Sequence, residues 1–203
     1  MQIRDESSQK PIRRVLETAK KYNEIAGVNE IARRYFAMNA FDGVLTLTGV
    51  LMGNLSAGVD NPMVVITTGL STSIAIGISG LWGSYLTESA EKKHSLIELG
   101  NSTLTDLNKT IIGRASRYAA VVVAIVDGLS PFLAALVVMT PFFLHRFFPM
   151  IQWVYYTSLG TALVTLFGLG LFLGKISKEN LILSGIKTVI AGIASIIISS
   201  LLA

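Results

Sequence analysis

The chain has 203 residues, of which 51% are hydrophobic and 15% charged, with a mean hydropathy of +0.58 and a formal net charge of +4. Soluble domains carry about 25% charged residues, so an ordinary soluble globule is excluded and a polytopic membrane protein fits. There is no cysteine, which excludes disulfides and thiolate metal sites.

Most of the charge lies in residues 1–35 and 87–117, and long apolar runs fill the rest. The N-terminus, "MQIRDESSQKPIRR", is basic with no apolar run behind it, unlike a cleavable signal peptide. Residues 1–35 form a cytoplasmic basic amphipathic segment. Within it, residues 9–26 place Ile12, Val15, Leu16, Ala19, Ile25 and Ala26 at helical spacing, opposite a Lys/Arg-rich face. Two readings stay open: this helix lies on the anionic cytoplasmic leaflet, or it packs on a partner subunit. Gly27-Val28-Asn29 interrupts it, and Asn29 is placed to cap the next helix.

A bilayer core of about 30 Å needs roughly 20 apolar residues per helix. Five such spans are expected within a transmembrane domain over 36–203: 36–57, 63–86, 118–143, 151–174 and 181–202. The breaks are Asp60-Asn61-Pro62, a cytoplasmic insertion at 87–117, His145-Arg146 with Pro149, and Lys175 to Asn180. The fold class is therefore an all-α membrane protein with a short helical stretch between the second and third spans.

Lys and Arg collect on the cytoplasmic side of membrane proteins. Residues 1–35 carry eight, 87–117 five and 175–180 two, whereas the opposite loops carry only Arg146. The N-terminus is thus expected in the cytoplasm and the C-terminus outside. The pI near 9.4 reads as topology and not as nucleic-acid binding. Lys187, the one cation inside a span, sits near its cytoplasmic end and can snorkel to the interface.

Few ionisable groups fall within the spans. Asp42 lies in the first, and such a carboxylate costs at least ~2.5 kcal/mol, which makes it a functional candidate by default. Carboxylate oxygens are hard ligands, suited to divalent cations and protons. Asn39 and Thr46, about one turn to either side, offer an amide oxygen and a hydroxyl on the same face. Gly43 allows close approach of a backbone or an ion. Met38 and Met52 offer soft sulfur, although methionine in a span also serves packing.

Asp127 lies in the third span. "FDGVLT" and "VDGLSP" each place glycine after the aspartate at an offset of 85 residues, hinting at a weak parallel repeat. Pro131 and Pro141 follow in the same helix, and a proline beside a carboxylate suits an ion path or a hinge. In the insertion, Glu88, Glu91, His94 and Glu98 recur at helical intervals. They can gather a divalent cation at a pore entrance or form a solvated, salt-bridged face with Lys92 and Lys93. Gly49 with Gly53, and Gly77 with Gly80 and Gly83, make small-residue stripes that let helices approach. No nucleotide-binding loop and no nucleophile–base arrangement is visible, so no enzyme is expected.

"RRYFAMNAFDGVLTLTGVLMGNLSAG" resembles the first-helix signature of the vacuolar iron transporter and nodulin-like family, through Ala40, Asp42-Gly43, Thr46, Gly49 and Gly53. "GLSTSIAIGISGLWGSYLTESAEKK" is similar to that family's second helix and "LSPFLAALVVMTPFFL" to its third. The resemblance covers residues 33–203. It implies proton-coupled export of Fe²⁺ or Mn²⁺ from the cytoplasm by a homodimer, along a path lined by the first-helix aspartate, here Asp42. The divalent ion is then substrate, and no tightly bound cofactor is expected. The family's second-helix methionine and glutamate fall at Gly80 and Ser84, which lack their ligand atoms, and the glutamate-rich cytoplasmic domain is reduced to 87–117. The alternatives are a scaffold or regulator on the same fold, or a transporter of a different solute. The short chain without cysteine or targeting peptide points to a prokaryotic plasma membrane.

Overall fold

The computed structural model describes residues 9–201 and is helical throughout, with no strand among them. Six α-helices follow in chain order: α1 (Gln9–Ala26), α2 (Val28–Ser56), α3 (Pro62–Thr103), α4 (Ile111–Phe143), α5 (Ile151–Ser177) and α6 (Leu181–Leu201). A single 3₁₀ turn, His145–Phe147, links α4 to α5. The five helices α2 to α6 are each long and apolar enough to cross a membrane. Residue 202, the end of the fifth expected span, residues 1–8, and the side chains of Ile12, Val15 and Leu16 lie outside the described residues.

Three helix starts follow from capping chemistry. Asn61 accepts a hydrogen bond from the Met63 amide (2.9 Å) with Pro62 in the first turn, so Asp60-Asn61-Pro62 breaks the chain as expected. Thr110 starts α4 and Asn180 caps α6 through the Ile182 amide at 3.1 Å. Asn29 does not cap α2. Gly27, in the left-handed region at φ 61°, makes the break, and Asn29 lies within the helix, its carbonyl accepting from Arg33 Nε.

Helix α3 joins the expected second span, 63–86, to the expected helical stretch of the insertion, running unbroken for 42 residues to Thr103. At 1.5 Å per residue that is about 63 Å, roughly twice a bilayer core. Residues 87–103 extend one rod, because no glycine–proline break or cap intervenes before Leu104. Helix α2 likewise begins at Val28, placing Asp42 near its middle. Pro131 and Pro141 sit inside an uninterrupted α4.

Close approaches at small residues order the bundle. Helices α3 and α4 pack antiparallel: a methyl added at Gly80 would lie 2.9 Å from the Asp127 carbonyl oxygen, and one at Gly128 2.6 Å from that of Gly77. Helices α2 and α4 run parallel, with Gly43 against Pro131, whose Cα a methyl would approach to 2.6 Å. Helices α5 and α6 form an antiparallel hairpin at Gly170 and Gly185. The main apolar core joins α2, α4 and α5 around Leu47, Leu51, Val138, Phe142 and Leu166. Phe142 stacks edge-on to Tyr155 at 5.0 Å, and the Tyr155 hydroxyl donates to the Val59 carbonyl (2.9 Å), tying α5 to the α2–α3 loop. The amphipathic α1 docks on α4 within the same chain, with Tyr22 5.8 Å from Tyr118.

Candidate functional site

The polar centre of the bundle forms where α2, α3 and α4 meet. Asp127 on α4 is 8% exposed, and its carboxylate accepts a hydrogen bond from the Asn39 amide of α2. The same amide nitrogen donates to the Tyr35 carbonyl one turn earlier, at 2.9 Å. The Tyr35 hydroxyl donates to Glu88 of α3 at 2.9 Å, and Glu88 is itself only 9% exposed. Two polar contacts thus tie the three helices together, Asn39 to Asp127 between α2 and α4 and the Tyr35 hydroxyl to Glu88 between α2 and α3. Ser84, one turn before Glu88, is buried against the Asp127 carboxylate, close enough to interact but without full hydrogen-bond geometry.

Local sequence explains the placement. Tyr35, Asn39 and Gly43 recur every four residues on the bundle-facing side of α2, and Ser84 and Glu88 do so on α3. Gly80 and Gly128 remove the side chains that would hold α3 off α4, so Ser84 reaches Asp127. Pro131, four residues after Asp127, has no N–H, which leaves the Asp127 carbonyl without its helical donor. The centre therefore concentrates oxygen atoms: two buried carboxylates, a hydroxyl and a proline-freed carbonyl. Such a set suits a hard cation or a proton.

The structure redistributes the residues expected from sequence. Asp42 is exposed on the outer side of α2 and not in this centre, although it and Glu88 both lie within electrostatic range of Asp127. Asn39 does not serve Asp42, because three residues turn it toward α4 while Asp42 points away. Thr46 lies on the Asp42 side, exposed. Met52 is 7% exposed within the apolar core, where it packs and meets no oxygen ligand. Glu91, His94 and Glu98 are exposed along the projecting half of α3 and are not drawn in with Glu88. No group of three or more His, Asp or Glu side chains able to hold a metal occurs among the described residues. Gly80 cannot be replaced by a methionine-like side chain, since the Asp127 carbonyl fills that space. Tyr35 was not foreseen. Its four-residue spacing to Asn39 is the signal that could have found it.

No protein-family profile matches this chain. The uncharacterized protein MJ0645 of Methanocaldococcus jannaschii is 34% identical to it over 168 residues, covering 81% of this chain and 85% of the relative. The chain belongs to the family of that archaeal protein.

Proposed function

We propose that this protein is an integral membrane transporter of divalent metal cations, Fe²⁺ or Mn²⁺, coupled to protons and exporting from the cytoplasm of a prokaryotic cell. The observation that carries the reading is the buried Asp127 carboxylate, held by Asn39 between helices long and apolar enough to span a membrane. A carboxylate at that depth is expensive and is characteristic of ion and proton pathways. Glu88, held by the Tyr35 hydroxyl, offers a second proton-carrying group toward the end of the bundle where Lys and Arg concentrate. The excess of Lys and Arg in 1–35, 87–117 and 175–180 supports a cytoplasmic N-terminus and an external C-terminus.

The resemblance to vacuolar iron transporters supports the same reading, with the central role moved from Asp42 to Asp127. On the outer face of α2, Met38, Asp42, Thr46, Gly49 and Gly53 form one open stripe, and no atom lies near the missing Cβ of either glycine. Covering this stripe in a homodimer would remove Asp42 from lipid. A scaffold or regulator on the same fold is the second reading, favoured by the lack of a three-ligand acidic or histidine cluster among the described residues.

Purified protein in liposomes with an imposed pH gradient tests the proposal. Uptake of Mn²⁺ or Fe²⁺ that collapses in Asp127→Asn is expected. A folded protein that moves neither ion under any gradient would leave the scaffold reading standing.

A further inference from the structure

A cavity of about 530 Å³ opens between α3 and α4 beyond the polar centre, toward the α3–α4 loop. Lys92, Lys93 and Arg117 line it together with the hydroxyls of Ser89 and Ser116. No Asp or Glu among the described residues lines it, and none forms an ion pair with these cations. Arg117 is oriented by donating to the Asn108 carbonyl at 3.3 Å. Three cations and two hydroxyls converging without a counter-charge among the described residues make a receptor for phosphate oxygens.

The other end of the same cavity is apolar. Tyr85, Ala120 and Val121 line it, and Tyr85 and Val121 are 41% and 44% exposed on the outer surface of the bundle. Trp82 stands beside Tyr85 at 6.5 Å and is 63% exposed. Exposed Trp and Tyr on a spanning helix mark the level of the lipid headgroups. A second such pair, Trp153 and Tyr156, lies at the start of α5, at the opposite end of the bundle. From Tyr85 to Lys92 is about 10 Å along α3. The cavity therefore starts at the interface and reaches its cations roughly two turns outward.

We propose that this cavity is a built binding site for one anionic phospholipid of the adjacent leaflet. Its phosphate sits among Lys92, Lys93 and Arg117, and its upper acyl chain lies along Tyr85, Ala120 and Val121. The apolar, laterally exposed end distinguishes this occupant from free phosphate. The inference does not depend on what the protein transports.

The test uses the full chain, purified and stripped of lipid, with binding read by native mass spectrometry and by thermal shift. The probes are phosphatidylglycerol, phosphatidylcholine and inorganic phosphate. Phosphatidylglycerol should bind and stabilise, and the other two should not. K92Q/K93Q removes two exposed or half-buried charges and should weaken phosphatidylglycerol binding about 25-fold, at about fivefold per cation. V121W, which obstructs the apolar end and keeps every charge, should weaken phosphatidylglycerol binding as well. K175Q/K178Q, which removes the same charge elsewhere on the expected cytoplasmic side, should leave it unchanged. Equal stabilisation by phosphatidylcholine or by inorganic phosphate, or an equal loss in K175Q/K178Q, would overturn the proposal.

Discussion

The dipeptide Asp-Gly occurs in α2 as Asp42-Gly43 and in α4 as Asp127-Gly128, and the bundle uses the two copies differently. Both glycines sit at helix crossings, Gly43 against Pro131 and Gly128 against Gly77 and Leu81. The aspartates part ways. Asp127 turns into the α2–α3–α4 junction and gains Asn39 as a donor, whereas Asp42 turns outward and is exposed. The reason is helical phase. Gly128 packs on α3 and Gly43 on α4, so the residue before each is carried to a different side of its helix. Identical local sequence fixes a crossing point; it does not fix which neighbour the carboxylate meets.

This contrast can be broken or sharpened by substitution. The largest effect is expected from Gly128→Ala, because the added methyl meets both the Gly77 carbonyl and Leu81. Overpacking of this kind costs about 1–3 kcal/mol or more. A large drop in thermal midpoint, or loss of monodisperse protein, should be seen by fluorescence-detected size exclusion. Gly43→Ala should behave similarly against Pro131. An unperturbed protein in both cases would mean that the crossings can open to admit a methyl group.

Next comes the functional contrast. Asp127→Asn should reduce Mn²⁺ flux at least about tenfold, since it removes the charge at the polar junction. Asp42→Asn should reduce it less, unless the outer stripe of α2 is closed by a second copy. Measured under one pH gradient, a larger loss in the Asp42 variant would return the central role to the first span.

Tyr35→Phe isolates the contact that ties α2 to Glu88 of α3. It deletes the hydroxyl donating to Glu88 and leaves the Asn39 contact in place. A loss of about 1 kcal/mol is expected for a partly buried side-chain hydrogen bond. Denaturation of the purified protein at neutral pH reads it out, and no change would remove Tyr35 from the network.

The smallest effect is expected at Gly49 and Gly53, whose missing Cβ atoms face open space. Alanine there should be neutral or stabilise the monomer by up to about 1 kcal/mol, from helix propensity alone. A fall in oligomeric mass by light scattering, with monomer stability kept, would identify this stripe as the surface where two copies meet.

Much of the architecture was legible because hydrophobic length and helix caps are local properties. The five apolar runs and the break at Asp60-Asn61-Pro62 follow from residues within a few turns of one another. The helical character of residues 87–103 is legible in their spacing, but their continuity with the second span is not, because a span limit is set by polarity and a helix limit by caps. Residues 87–103 are polar yet remain helical, and a solvated helix needs no apolar stripe all round. The candidate site was only partly legible. Asp127, Asn39 and Glu88 stand out in the sequence as candidates, but their grouping depends on where Gly43, Gly80 and Gly128 let three helices touch.

By itself the sequence determined that this is an all-helical chain with five helices suited to a bilayer, and which few polar side chains lie within them. That follows from transfer free energies and propensities, which act residue by residue. Only the tertiary structure decided that Asp127 is enclosed and Asp42 is not, that Met52 is core, and that Gly80 has no room for a side chain. Those outcomes depend on the rotation of one helix about its axis relative to another. That angle is set by the summed packing of distant residues, and no local pattern contains it.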